Sequence, residues 1–216
     1  MRVETLKTLT TAILAVAVAA ACSDAEPTGI EPGESGAGEA EAPVTDVATE
    51  GERAGVARST SIVTEFPNGD PVPGASARLT RGKNGVNAWL QTNGLTSGNA
   101  YTLWVVVFNH PENCIEPNEC RLADVMAADP AVAVDLIGTG GQVIGGDGRA
   151  TFAGRVKVGE LGERGIGLLD AFEPEIHLVV RNHGPKLPGA AQLEEFNGGC
   201  EPGPNTCENV QDALHF

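Results

Sequence analysis

Four histidines, five cysteines and 29 acidic residues hold most of the chemistry open to this 216-residue chain. His177 and His183 flank the strand-forming run "EIHLVVRNHGP", Glu175 to Pro185. In extended backbone their Cα atoms stand about 20 Å apart, at about 3.3 Å per residue. Two imidazoles on one ion need Cα atoms within roughly 12–13 Å, given metal–nitrogen bonds near about 2.0 Å. The pair is therefore not a chelate, and His177, inside an apolar run, reads as a hydrogen-bonded core histidine with a structural role. His183 carries a different signal, because "VVRNHGP" echoes "VVFNHP", Val106 to Pro111. Each apolar strand runs into Asn-His and then a proline-broken loop. If two or three of His110, His183 and His215 converge, they form a zinc or copper site. The competing reading is that Asn-His ends a strand, with side chains bonding local backbone. Adjacent antiparallel strands would put the two Asn-His pairs at opposite ends of a sheet, which counts against the metal. No other cofactor is expected.

Other chemistries find less support. There is no G-x-S-x-G and no serine follows Ser97, so a serine nucleophile would have to come from Ser59, Ser61, Ser76 or Ser97. The glycine-rich "GTGGQVIGGDG" sits between strands and leads into no helix, so it reads as hairpin turns rather than a phosphate cradle. Carboxylate pairs such as Glu173 and Glu175 are too common in so acidic a chain to mark a site alone. They leave a carbohydrate-active module as the weakest expectation. A net charge of −15 argues against nucleic acid as a partner, while allowing weak attraction of cations. With no catalytic residue singled out, a binding or interaction module is expected ahead of an enzyme.

The cysteines point to a compartment. Apart from Cys22 they fall in two close pairs, "CIEPNEC" (Cys114 and Cys120) and "CEPGPNTC" (Cys200 and Cys207). Zinc knuckles space their cysteines more tightly. Two short disulfide loops in an oxidising compartment account for the pattern, with 114–120 and 200–207 favoured among the three connectivities.

The N-terminus agrees. Arg2 and Lys7 precede the apolar run Leu9 to Ala21, which at about 13 residues is too short to span a bilayer. Residues 1–21 read as a signal peptide. The run ends in "AAAC", Ala19 to Cys22, which resembles the lipobox of bacterial lipoprotein precursors, although that family usually has leucine where this chain has Ala19. The resemblance implies lipidation at Cys22, a membrane partner through the N-terminal lipid, and the outer membrane if the cell is Gram-negative, since Ser23 is not the retention aspartate. Two or more fatty chains anchor stably where one does not. Ala19 and Ala21 also satisfy ordinary signal cleavage, so simple secretion is the alternative.

The elements that must position these groups follow. Residues 22–56 form an acidic linker: from Ser23 to Val56 there are nine Asp or Glu against a single Arg, and no aromatic. Such a segment cannot bury enough apolar surface to order itself and should be disordered. Residues 57–216 form one domain of about eight or nine short strands: "STSIVTEF", "SARLT", "VNAWLQT", "YTLWVVVFN", "AVAVDLI", "GQVIG", "RATFAGRVKV", "EIHLVVRN" and "DALHF". "RGKNG" and "GGDGR" are hairpin-type connections, and almost no segment reads as helix. The expected fold is all-β, an immunoglobulin-like or related antiparallel β-sandwich. "GLTSGNAY" resembles the tyrosine corner of such sandwiches, which implies that the Tyr101 hydroxyl bonds backbone upstream, a structural role. Trp89, Trp104 and Phe152 are expected as large core members.

Between about Ala75 and His215 the chain is similar to a group of uncharacterised bacterial secreted proteins, through "YTLWVVVFNHPENC", "GGDGRATF" and "EIHLVVRNHGP". That resemblance implies an envelope or secreted setting and carries no activity. A fainter likeness is to the CHRD β domain, which usually shows two histidines separated by one residue on a strand; here only His177 occupies such a place.

Overall fold

A computed structural model describes residues 55–198 and 207–216. The signal-like segment, Cys22, the rest of the acidic linker up to residue 54 and Cys200 lie outside the described residues, while Val56, expected in the linker, already belongs to the first strand. Nine strands run in chain order: β1 (Val56–Ser61), β2 (Thr64–Glu65), β3 (Ser76–Gly82), β4 (Gly85–Thr92), β5 (Asn99–Phe108), β6 (Val134–Val143), β7 (Ala150–Lys157), β8 (Glu175–Pro185) and β9 (Glu208–His215). Two helices, α1 (Leu122–Ala127) and α2 (Ala190–Gly198), and a 3-10 turn at Pro111–Asn113 complete the described elements.

The strands form two antiparallel sheets, ordered β1-β3-β4-β7 and β2-β9-β8-β5-β6. The all-β sandwich expected from the alternating patterns is the fold. Period-2 side chains explain the layering, since every second residue of a strand faces the partner sheet. Leu79 of β3, Leu90 of β4, Phe152 of β7, Val105 of β5 and Leu178 of β8 meet in the main core. Burying each such side chain contributes about 1.5–3 kcal/mol.

β5 is buried on both faces, and this explains its unbroken apolar run. Leu103, Val105 and Val107 point into the main core. Val106 and Phe108 point outward into a second cluster with Cys114, Cys120, Val132 and Val134. That cluster is roofed by α1 and by the loop that the Cys114–Cys120 disulfide closes.

Three local expectations change. "RGKNG" does join β3 to β4 as a hairpin, but Gly145–Arg149 carries the chain from the second sheet to the first and closes no hairpin. Gly138 to Gly141 lie inside β6 rather than in a turn. Gly141 allows close approach to β5, since a Cβ there would lie 2.8 Å from the Tyr101 carbonyl, and Gly140 takes a φ of +143° where β6 shifts register against β5. Trp89 is not in the core: it sits half-exposed on the outer face of β4, beneath the Arg78 guanidinium at 4.7 Å.

Candidate functional site: a groove over the five-stranded sheet

The outer face of the five-stranded sheet carries an open groove of about 610 Å³. Val106 and Phe108 of β5 and His177 and Val179 of β8 form its floor; Leu122 and Val125 of α1 line one side. Ile62, Phe66 and Pro67, around β2, line another, and Phe216 closes the set. Ile62, Leu122 and Phe216 are 63%, 48% and 69% exposed. Large apolar side chains left in water around one concavity are a binding-surface signature, whereas scattered ones are ordinary.

His177 is the polar side chain of the floor, and Glu65, Arg121, Asn209 and Asp212 line the groove around it. Glu175 and His177 are neighbours on the same face of β8, two residues apart, and both are buried. Glu175 Oε1 lies 2.6 Å from His177 Nε2, and Glu175 Oε2 accepts the Cys120 backbone N–H at 3.2 Å. With both carboxylate oxygens acting as acceptors, the contact needs the tautomer with hydrogen on Nε2, which leaves Nδ1 as the ring's acceptor. The Phe108 ring packs against the imidazole with centroids 4.9 Å apart. His177 is thus a fixed imidazole at the edge of an apolar groove, held by a carboxylate that is itself tied to the disulfide loop. That arrangement orients one hydrogen-bonding atom for a ligand. Among the described residues, the hydrogen-bond partner of the ring is Glu175.

The roof over the groove is braced from below. Asp124 accepts the N–H groups of Arg121 and Ile115, both at 2.7 Å, which joins the start of α1 to the disulfide loop. Asp135, at the start of β6, is fully buried and accepts N–H from Leu136, Gly162, Arg164, Ile166 and Gly167. Burial alone would raise its carboxyl, but the backbone donors outweigh burial and hold it below the ordinary value. Arg164, fixed in this loop, donates to the Val125 carbonyl of α1 at 2.5 Å. Gly162 is required here, since a Cβ would come within 2.6 Å of Asp135 Oδ1.

The other histidines do not gather. His110 is exposed beside Glu112, 3.5 Å away, past the end of β5. His183 is fully buried near the far end of β8, where Thr102 Oγ1 lies 2.7 Å from Nε2 and Cys207 Sγ lies 3.4 Å from Nδ1. Trp104 Nε1–H donates to the same Thr102 oxygen at 2.7 Å. The ring is thus held between a hydroxyl at Nε2 and a disulfide sulfur at Nδ1. Burial, reinforced by Arg181, lowers the His183 pKa to about 4. His215, at the end of β9, faces the inter-sheet space, with Ser59 Oγ 2.9 Å from Nδ1 and Nε2 unpartnered. Burial, then Arg81 and His177, lowers its pKa to about 4 as well. His215 pairs in register with Ile176, seven residues before His183, which places His215 and His183 about 23 Å apart along β8. Among the described residues no three His, Cys, Asp or Glu side chains are placed to hold an ion. No family model, curated protein or solved structure matches the chain. The groove therefore has to be read from its own chemistry.

The Asn-His repeats have a structural explanation. Asn109 donates to the carbonyls of Ala133 and Gly167 and accepts from Leu169 N–H; Asn182 accepts from Gly184 N–H and Asn99. Tyr101 is buried and its hydroxyl oxygen accepts the Thr96 N–H at 3.0 Å. Cys207 is disulfide-bonded, and Cys200 lies outside the described residues. Glu175 is the residue that the sequence reading passed over. Its signal was present as E-x-H within one strand, because positions i and i+2 share a face.

Proposed function

We propose that the protein is an exported, lipid-anchored and non-enzymatic binding module of the cell envelope, with its ligand site in the groove over the five-stranded sheet. The observation that carries this reading is the convergence of exposed Ile62, Leu122 and Phe216 around a floor whose polar centre is the buried Glu175–His177 pair. Mostly apolar concavities with a few placed polar groups are the usual form of small-molecule sites. The ligand is one with an apolar body and a single N–H or O–H group that reaches His177 Nδ1. The lipobox-like "AAAC" and the acidic linker support display of this module from a membrane, with Cys22 as the lipidated residue.

Two experiments test the two halves. Titration with Nile red, an uncharged apolar fluorophore, is expected to give saturable binding with one site per chain. Val179→Trp, which fills the groove floor, is expected to weaken it at least tenfold. Linear, unsaturable uptake would remove the groove from consideration. Separately, Cys22→Ser is expected to move the protein from the membrane fraction to the soluble fraction, and unchanged membrane association would remove the anchor.

A further inference from the structure

The four-stranded sheet presents an outer face of the opposite character. Its strands, β1, β3, β4 and β7, contain no Asp or Glu at all, in a chain whose net charge is −15. They carry Arg58, Arg78, Arg81, Arg155 and Lys157, and Lys83 stands in the β3–β4 turn. Arg81 alone is buried; the other five are exposed. None of those five enters an ion pair among the described residues. A sheet face that is merely solvated carries both signs of charge interspersed.

Strand register sets out the pattern. Thr60, Arg78, Trp89 and Ala153 lie in one cross-strand row, and Arg58, Thr80, Asn87 and Arg155 in the next. With strands about 4.8 Å apart, Arg58 and Arg155 bracket a row about 14 Å wide. Arg78 lies flat over the Trp89 ring, which holds its planar fork of donors in place above the sheet. At one end of the face a shallow depression of about 400 Å³ is lined by Lys83, Asn84, Asn87 and Arg155, among others, and by no carboxylate. Gly85 shapes it: with φ of +140°, a Cβ there would collide with the Val156 carbonyl.

We infer that this face binds an extended anionic polysaccharide, one bearing carboxylate, sulfate or phosphate groups. Cations spread over about 14 Å match charges repeated along a polymer better than one small anion. Thr60, Thr80, Asn87, Gln91 and Thr151 lie on the same face, as donors and acceptors for sugar hydroxyls. Single-stranded nucleic acid fits less well, because such platforms stack successive bases on aromatic rings. This face has one ring, already covered by Arg78. The inference is independent of the groove, which lies on the other sheet.

The test titrates the full-length chain in detergent with polygalacturonate and dextran sulfate, using dextran as the neutral control and single-stranded DNA as a competing polyanion. At least one anionic glycan is expected to bind, and to weaken about tenfold or more between about 50 and about 200 mM salt. Dextran is expected not to bind. Arg78→Glu with Arg155→Glu is expected to cut the affinity at least tenfold with an unchanged unfolding midpoint, since both side chains are exposed. Val179→Trp is expected to leave glycan binding alone. Failure of both anionic glycans to bind, equal binding of dextran, tighter binding of DNA, or indifference to the charge reversal would each overturn the inference.

Discussion

Glu175 and His177 stand two residues apart on the outward face of β8, and the imidazole N–H donates to the carboxylate across 2.6 Å. The pair is buried and shared, so its members do not behave independently. His177→Ala leaves a buried carboxylate with the Cys120 N–H as its remaining partner, at a cost of about 3 kcal/mol. Replacing both, with Glu175→Gln added, is expected to cost less than His177→Ala alone. Urea unfolding of the two single variants and the double variant measures the coupling. Simple additivity would mean that the pair is not an interacting unit.

Acid is expected to destabilise the fold through two histidines. His183 and His215 each have a folded pKa of about 4, below the ordinary value of 6.5. Between those values the unfolded chain binds the protons and the folded chain does not. Their contribution is thus fully present above about pH 6.5 and is lost as pH falls toward about 4, at up to about 1.4 kcal/mol per pH unit per histidine. Stability curves from pH 7.5 to 4.5 should show this slope. His215→Gln should flatten it by about half, and an undiminished slope in that variant would place the linkage elsewhere.

Asp135 of β6 is expected to be the carboxylate on which the loop after β7 most depends. Asp135→Ala removes the acceptor of five backbone N–H groups, four of them between Gly162 and Gly167 and the fifth at Leu136, for a loss of about 3 kcal/mol or more. Hydrogen exchange at Gly162, Arg164, Ile166 and Gly167 should accelerate selectively. Protection retained there would show that the loop is held by other contacts.

The Cys114–Cys120 bridge supports the groove as well as the fold. Replacing both cysteines by serine is expected to cost about 2–3 kcal/mol on the chain-entropy model. It should also weaken Nile red binding, because Cys120 N–H anchors Glu175 and through it His177. Equal affinity with lower stability would separate the bridge from the groove. Non-reducing peptide maps are expected to link 114 to 120 and 200 to 207.

Alternation made the sandwich readable before any coordinates, since "SARLT", "VNAWLQT" and "RATFAGRVKV" each show period 2 with small or apolar residues inward. β5 was readable for a different reason: the unbroken apolar run Leu103 to Phe108 requires cover on both faces. The nature of that cover was not legible. α1 has only six residues, too few for a helical period, and depends on Asp124 and the disulfide loop rather than on its own propensity. Trp89 misled because size alone suggested burial, while its partner Arg78 lies directly opposite across the strand pair. His183 and His215 carried a metal-like signal in sequence. Their partners, Thr102 and Ser59, lie 81 and 156 residues away, beyond the reach of any local motif. The acid-free composition of β1, β3, β4 and β7 was present in the sequence, but it acquired meaning only when register put those strands side by side.

The place of β9 has a consequence for how the molecule is made. It is the last strand in the chain, yet it lies between β2 and β8 inside the larger sheet. Until β9 docks, the two-residue β2 has no strand to pair with and β8 presents an open edge.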